Sequence, residues 1–107
     1  MYKLSFYVPA SHVEQVKQAL FGQGAGRFGD YDQCAWQVLG DGQFRPLADS
    51  EPSLGAIGQT HFVPEYKVEM VCADDLIKTA VQTLLACHPY QQPAYGIYKI
   101  LGLEDLP

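Results

Sequence analysis

The sequence predicts an α+β domain, with two helices laid on one face of an antiparallel sheet. Three observations carry this. Period-two alternation of apolar and polar residues recurs at 2–8, 31–39 and 62–72, the signature of half-buried strands. Apolar residues at helical spacing fill the intervals near 11–22 and 74–88. Finally, Pro89 and Pro93 force a change of backbone geometry between the second helix and a last strand over about 93–101.

In chain order, Tyr2, Leu4, Phe6 and Val8 alternate with Lys3 and Ser5, and Pro9 ends the strand. Ser11 with Glu14 forms a capping-box pattern ahead of Val13, Val16 and Leu20, and Gly22 stops that helix. Gly24-Ala25-Gly26-Arg27-Phe28-Gly29 then fits the dinucleotide pattern G-x-G-x-x-G. That motif works only with a strand before it and a helix after it, so that a helix N-terminus meets the pyrophosphate. Here the order is reversed, so the stretch is read as a flexible connection. From Tyr31 to Leu39, Cys34, Trp36 and Val38 share one face and Gln33 and Gln37 the other. Asp41-Gly42 reads as a two-residue hairpin turn, with Gln43–Pro46 as a short returning strand.

Ala48–His61 has no periodicity, and a loop of that length inside a small domain is a candidate contact surface. Phe62, Tyr66, Val68, Met70 and Cys72 then oppose Glu65, Lys67 and Glu69. Asp74 and Asp75 open the second helix, whose stripe is Ile77, Ala80, Val81, Leu84 and Leu85. The last strand is apolar on both faces, with Tyr95 and Ile97 on one and Tyr98 and Ile100 on the other. The order strand, helix, two strands, helix, strand is the split βαβ or ferredoxin-like βαββαβ arrangement. Right-handed crossovers place the first and third strands centrally and the last at an edge. An edge strand apolar on both faces calls for a cover, and a subunit interface supplies one.

Composition narrows the function. The 107 residues form one expected domain, 1–107, with 48% hydrophobic and 18% charged residues. A net charge of −5 lacks the basic footprint of a nucleic-acid or anionic-membrane partner. No run reaches the ~18 apolar residues of a membrane span, and no signal-peptide pattern opens the sequence. Cys34, Cys72 and Cys87 lie in apolar segments and read as buried free thiols of a cytoplasmic protein. Ser5, Ser11, Ser50 and Ser53 lack an elbow motif, so no catalytic constellation is expected. Cys87 beside His88 resembles an activated thiol pair, but its place along the apolar stripe favours a structural role.

The corner His88-Pro89-Tyr90, followed by Pro93-Ala94-Tyr95, joins Glu65, Glu69, Gly42, Phe44, Pro46, Pro52, Gly55 and Gly58 in a specific set. On these residues the chain resembles the insert domain of the Nif-three-like (YqfO-type) family, also labelled type 2 GTP cyclohydrolase homologues. The His-Pro-Tyr corner is similar to that of the CutA family, which shares a trimeric ferredoxin-like fold with the PII signalling proteins. The resemblance implies a free-standing insert without the flanking halves that hold the family's dinuclear metal site. It further implies a homo-oligomer, a trimer, acting as a non-catalytic binding or regulatory module with a small-molecule or protein partner and no obligatory cofactor. The alternative it implies is a small divalent-metal-binding protein. Gln91, Gln92 and Gly96 stand where the insert pattern carries acids, which weakens a hard-cation site. For a transition metal the candidate ligands are His61, Glu65 and His88. The competing view has His88 cap the helix through its last carbonyls and Glu65 make a polar contact.

Overall fold

The computed structural model describes residues 1–51 and 55–107; Pro52 and Ser53, named above, lie outside the described residues. The elements run β1 (Tyr2–Pro9), α1 (Val13–Gly22), β2 (Trp36–Phe44), β3 (His61–Cys72), α2 (Ile77–Cys87) and β4 (Tyr95–Lys99). A 3₁₀ turn at Leu103–Asp105 follows. The sheet is antiparallel with order β2-β3-β1-β4, so the two central strands and the edge position of β4 are as expected.

One face of the sheet and both helices make the core. Leu4, Phe6 and Val8 of β1 stand beside Val68, Met70 and Cys72 of β3, and Val13, Val16, Leu20, Ala80 and Leu84 pack on them from the helices. The alternation on β1 and β3 names this face correctly, because a strand's side chains change sides at every residue. The α2 stripe is narrower than its spacing promised. Ala80 and Leu84 are buried, Ile77 and Val81 border the core, and Leu85 turns to solvent.

Several expectations are corrected. Asp41-Gly42 makes no turn, since β2 runs straight through it, pairing from Trp36↔Glu69 to Phe44↔His61. Gly42 does not take the positive φ a primed turn requires. Its missing side chain serves a close approach instead, because a Cβ there would lie 1.7 Å from Glu65 Oε1. The faces of β2 are also exchanged. Gln37 points toward the helices and accepts a hydrogen bond from Lys17 Nζ at 2.9 Å, while Trp36 and Val38 lie on the open face, 60% and 43% exposed. A residue with positive φ at Gln33 and the isolated bridge Phe28↔Tyr31 break the extended run before β2, so alternation counted from Tyr31 does not carry into the strand.

The helix starts differ as well. His12, not Ser11, stands at the N-cap of α1 with no side-chain cap, because Ser11 Oγ bonds His12 Nδ1 at 2.8 Å and Glu14 pairs with Lys17 at 3.0 Å. Asp74 likewise sits ahead of α2, where it pairs with the Met1 ammonium and, at 3.7 Å, with Lys99. Of the thiols, all three are free but only Cys72 is fully buried.

The glycine-rich stretch is a structural joint, with α1 before it and β2 after it. Gly24 and Gly26 have φ of +89° and +81°, a region open to glycine. The joint is tied down rather than loose. Gly26 N–H donates to Val71 O at 2.7 Å, Cys34 N–H donates to Gly26 O at 2.8 Å, and Ala25 is in the core.

Candidate functional site

The corner between α2 and β4 meets the start of β3 and the end of β2, and there the motif residues gather. His88 ends α2 with extended backbone, as Pro89 demands, and its ring turns under β1. Its Nε2 donates to Tyr7 O at 2.7 Å, and its Nδ1 accepts from Tyr90 N–H at 3.1 Å. Both ring nitrogens are therefore committed in a neutral tautomer, and burial holds the imidazole below its ordinary pKa. The expected bonds from this side chain to the last helix carbonyls are absent, since the backbone N–H of His88 already occupies Leu84 O at 2.9 Å.

Tyr90 stands at the centre of the cluster. Its ring lies 5.0 Å from that of His88 and 6.3 Å from that of Phe44, and Phe44 stacks on His61 at 5.8 Å. The Tyr90 hydroxyl is buried without a well-formed hydrogen bond, beside the Glu65 carboxyl. Burial pushes the Tyr90 phenol up to about 12, and the nearby carboxylate adds to the rise. Burial also raises the Glu65 carboxyl, while the Tyr90 hydroxyl partly opposes that shift. The open backbone at Gly42 is what lets Glu65 lie there. Replacing Glu65 with glutamine is expected to lower the Tyr90 pKa, since a neutral amide removes the adjacent negative charge. Titration of ring-labelled tyrosines by nuclear magnetic resonance checks this.

The same corner ties down the long connection between β2 and β3 near its middle, at Glu51 and Ala56. His61 Nε2 accepts from Ala56 N–H at 3.1 Å, and Gln91 Oε1 accepts from Glu51 N–H at 3.1 Å. Gly55, at φ +89°, lies so close that a Cβ would come within 2.4 Å of the His61 ring. Gln91, one of the departures from the acidic pattern, is thus a loop anchor. No spacing rule finds this, because Gln91 and Glu51 stand 40 residues apart.

Of the proposed ligand set, His61 and Glu65 share a face of β3, and His88 joins the cluster through Tyr90 with no free nitrogen. Among the described residues no group of three or more His, Cys, Asp and Glu is arranged to hold a metal ion. Pro93 and Tyr95 lead β4 away from the corner, so the motif marks a join between elements as much as a pocket. Cys87 Sγ lies 3.8 Å from Leu84 O, and burial pushes its thiol up, away from thiolate character. No helix among the described residues is long and apolar enough to cross a membrane.

No family model matches the chain. It is 39% identical over 99 residues to a Mycobacterium leprae protein named GTP cyclohydrolase 1 type 2 homolog, covering 92% of this chain and 26% of that one. The Bacillus subtilis protein of the same name is 38% identical over 98 residues, with 92% and 26% covered. The chain thus spans about a quarter of the length of the curated relatives it matches. Among solved structures, a Bacillus cereus protein related to NIF3 superposes with TM-score 0.78 at 31% identity, over 91% of this chain and 24% of that one. CutA1 from Pyrococcus horikoshii superposes with TM-score 0.70 at 15% identity, over 96% and 86%, which shows a shared fold.

Proposed function

We propose that this chain, a counterpart of one segment of the Nif-three-like proteins with a CutA-like fold, works as a non-catalytic, self-associating binding or regulatory module. The observation that carries this is β4. It is an edge strand of the sheet, and Tyr95, Ile97 and Tyr98 leave both of its faces substantially exposed. Covering apolar surface stabilises by about 25 cal/mol per Å², and an open apolar edge invites a second chain. Copies of the chain supply that cover, as a trimer. The part of the connection seated on His61 and Gln91, together with the clefts between copies, forms the contact surfaces for a small-molecule or protein partner in the cytoplasm. Sedimentation equilibrium is expected to give a multiple of 11.9 kDa, the mass of one chain. A single 11.9 kDa species at every concentration overturns the proposal.

A second reading, binding of a divalent transition metal, is favoured by one observation: His61 and Glu65 lie on the same face at the start of β3. A metal at His61 would displace the Ala56 N–H, so metal and loop would compete for one nitrogen. Calorimetric titration of the apo chain with zinc and copper tests this, and no heat in the micromolar range removes it.

A further inference from the structure

Of the 12 acidic residues, only Glu65 and Glu69 are not exposed, and both stand on the open face of β3, the side that Trp36 and Val38 share. Their surroundings differ. Glu69 holds two cations, Lys3 at 3.8 Å and Lys67 at 3.3 Å. Among the described residues Glu65 holds none, since Lys67, the next residue on that face, gives its ammonium to Glu69. The Tyr90 hydroxyl beside Glu65 makes no well-formed hydrogen bond. A carboxylate drawn partly out of water without a cation costs free energy that a bound positive charge recovers.

There is open space beside that carboxylate. On this face β2 presents Val38, Gly40, Gly42 and Phe44, so the strand offers no side chain opposite Glu65 and Val63. The Glu65 carboxylate itself leans over Gly42. A Cβ at Gly40, directly across from Glu65, would meet nothing within 4 Å. Neither glycine has a positive φ, so the backbone does not call for them. Val38 bounds the gap at one end, and Phe44, with the rings of His61 and Tyr90 against it, bounds the other. An anion beside aromatic rings is the combination that receives an organic cation, whose charge meets the carboxylate while its carbons meet the rings.

We propose that the gap over Gly40, between Glu65 and the rings of Phe44 and Tyr90, binds a small organic cation, an ammonium or guanidinium group on a short apolar body. This rests on the reading of the corner as a contact surface for a small molecule, and it names the chemical class of that molecule.

Butylammonium and butylguanidinium are the probes, with butanol as the neutral control and zinc as the metal control. Each is titrated into the isotopically labelled natural chain, E65Q and G40V, and sedimentation is run on all three chains. Binding is read by nuclear magnetic resonance at the Gly40 and Gly42 amides and the Tyr90 ring. In the natural chain the organic cations are expected to saturate these shifts with a dissociation constant on the order of 1 mM, and butanol to leave them unmoved. E65Q should weaken binding about tenfold or more by removing the charge. G40V should do the same by filling the gap while the carboxylate stays. A valine has room at that position and suits a strand, so the variant folds, and circular dichroism verifies it. No saturable shift in the natural chain, or equal binding by both variants, overturns the site. If zinc saturates the signals and the organic cations do not, Glu65 serves a metal and the site is overturned. If neither probe binds and E65Q dissociates an assembly that the natural chain forms, a basic side chain of a second copy holds the carboxylate. The site is then overturned while self-association stands. If the natural chain stays a monomer yet binds the cations, self-association fails and the site stands.

Discussion

Truncating Phe6 to alanine is expected to cost about 3–5 kcal/mol of folding stability, the largest loss of any single change considered for this chain. Phe6 is fully buried at the middle of β1, opposite Val68 on one side and Tyr95 on the other. The cavity would open where the sheet and both helices meet, and close packing leaves little room for neighbours to collapse into it. A domain of this size has about 5–15 kcal/mol in all, so the variant should unfold at a much lower urea concentration with an unchanged slope. Trp36→Ala provides the contrast. Trp36 is the larger side chain, but it stands on the open face, so its loss should cost a monomer almost nothing. Equal losses from the two substitutions would contradict the assignment of faces.

Replacing His88 with alanine is expected to cost about 2–4 kcal/mol, because it strands two polar groups at once. Tyr7 O and Tyr90 N–H would each lose the ring nitrogen that satisfies it, and such a loss costs about 1–3 kcal/mol per group when buried. The pH dependence has a definite sign. Burial lowers the His88 pKa in the folded chain below the ordinary 6.5, so the unfolded chain takes up its proton first on acidification. Above pH 6.5 the residue is neutral in both states and exacts no penalty. As the pH falls through 6.5 toward the folded value, stability drops, and below both values the loss is complete. H88A should therefore be less stable at neutral pH yet show a flatter stability profile just below 6.5. Glu65 works in the opposite sense. Its folded pKa is raised above 4.5, so its share of stability is present in acid and lost as the pH rises through the folded value. Comparing H88A with the natural chain in an E65Q background separates the two slopes, read from urea unfolding at a series of pH values.

The parts of the fold that could be read from the sequence are those governed by local periodicity. β1 and β3 show it best: every second residue is apolar because a helix layer covers one face, and the same parity appears as burial at Leu4, Phe6, Val8, Val68 and Met70. β2 shows where the method fails. An edge strand with one face open has weaker selection on parity, and Trp36 and Val38 are apolar on the uncovered side. Asp41-Gly42 misleads for a related reason. The glycine answers to a distant carboxylate, Glu65 across the ladder, and not to the angles of its own backbone.

The candidate site was legible in its membership more than in its wiring. His61, Glu65, His88 and Tyr90 could be chosen as types of residue in a recognisable corner. The bonds they make had to come from geometry: His88 to a carbonyl of β1, His61 to the amide of Ala56, and Gln91 to the amide of Glu51. The Ser11 capping box shows the same limit on a smaller scale, since the hydroxyl found a nearer partner in His12.

By itself, then, the sequence determined the α+β class, the order of elements, the central pair of strands and, Leu85 excepted, the apolar stripe of each helix. These follow from repeats of two and of three to four residues, which chain geometry turns into faces. Only the tertiary structure decided the outward turn of Trp36, the unbroken run of β2, the neutral and fully engaged His88, and the seating of Ala56 on His61 and of Glu51 on Gln91. Each of these depends on an energy shared between groups far apart in the chain, and that energy takes its value only once both groups have been brought together.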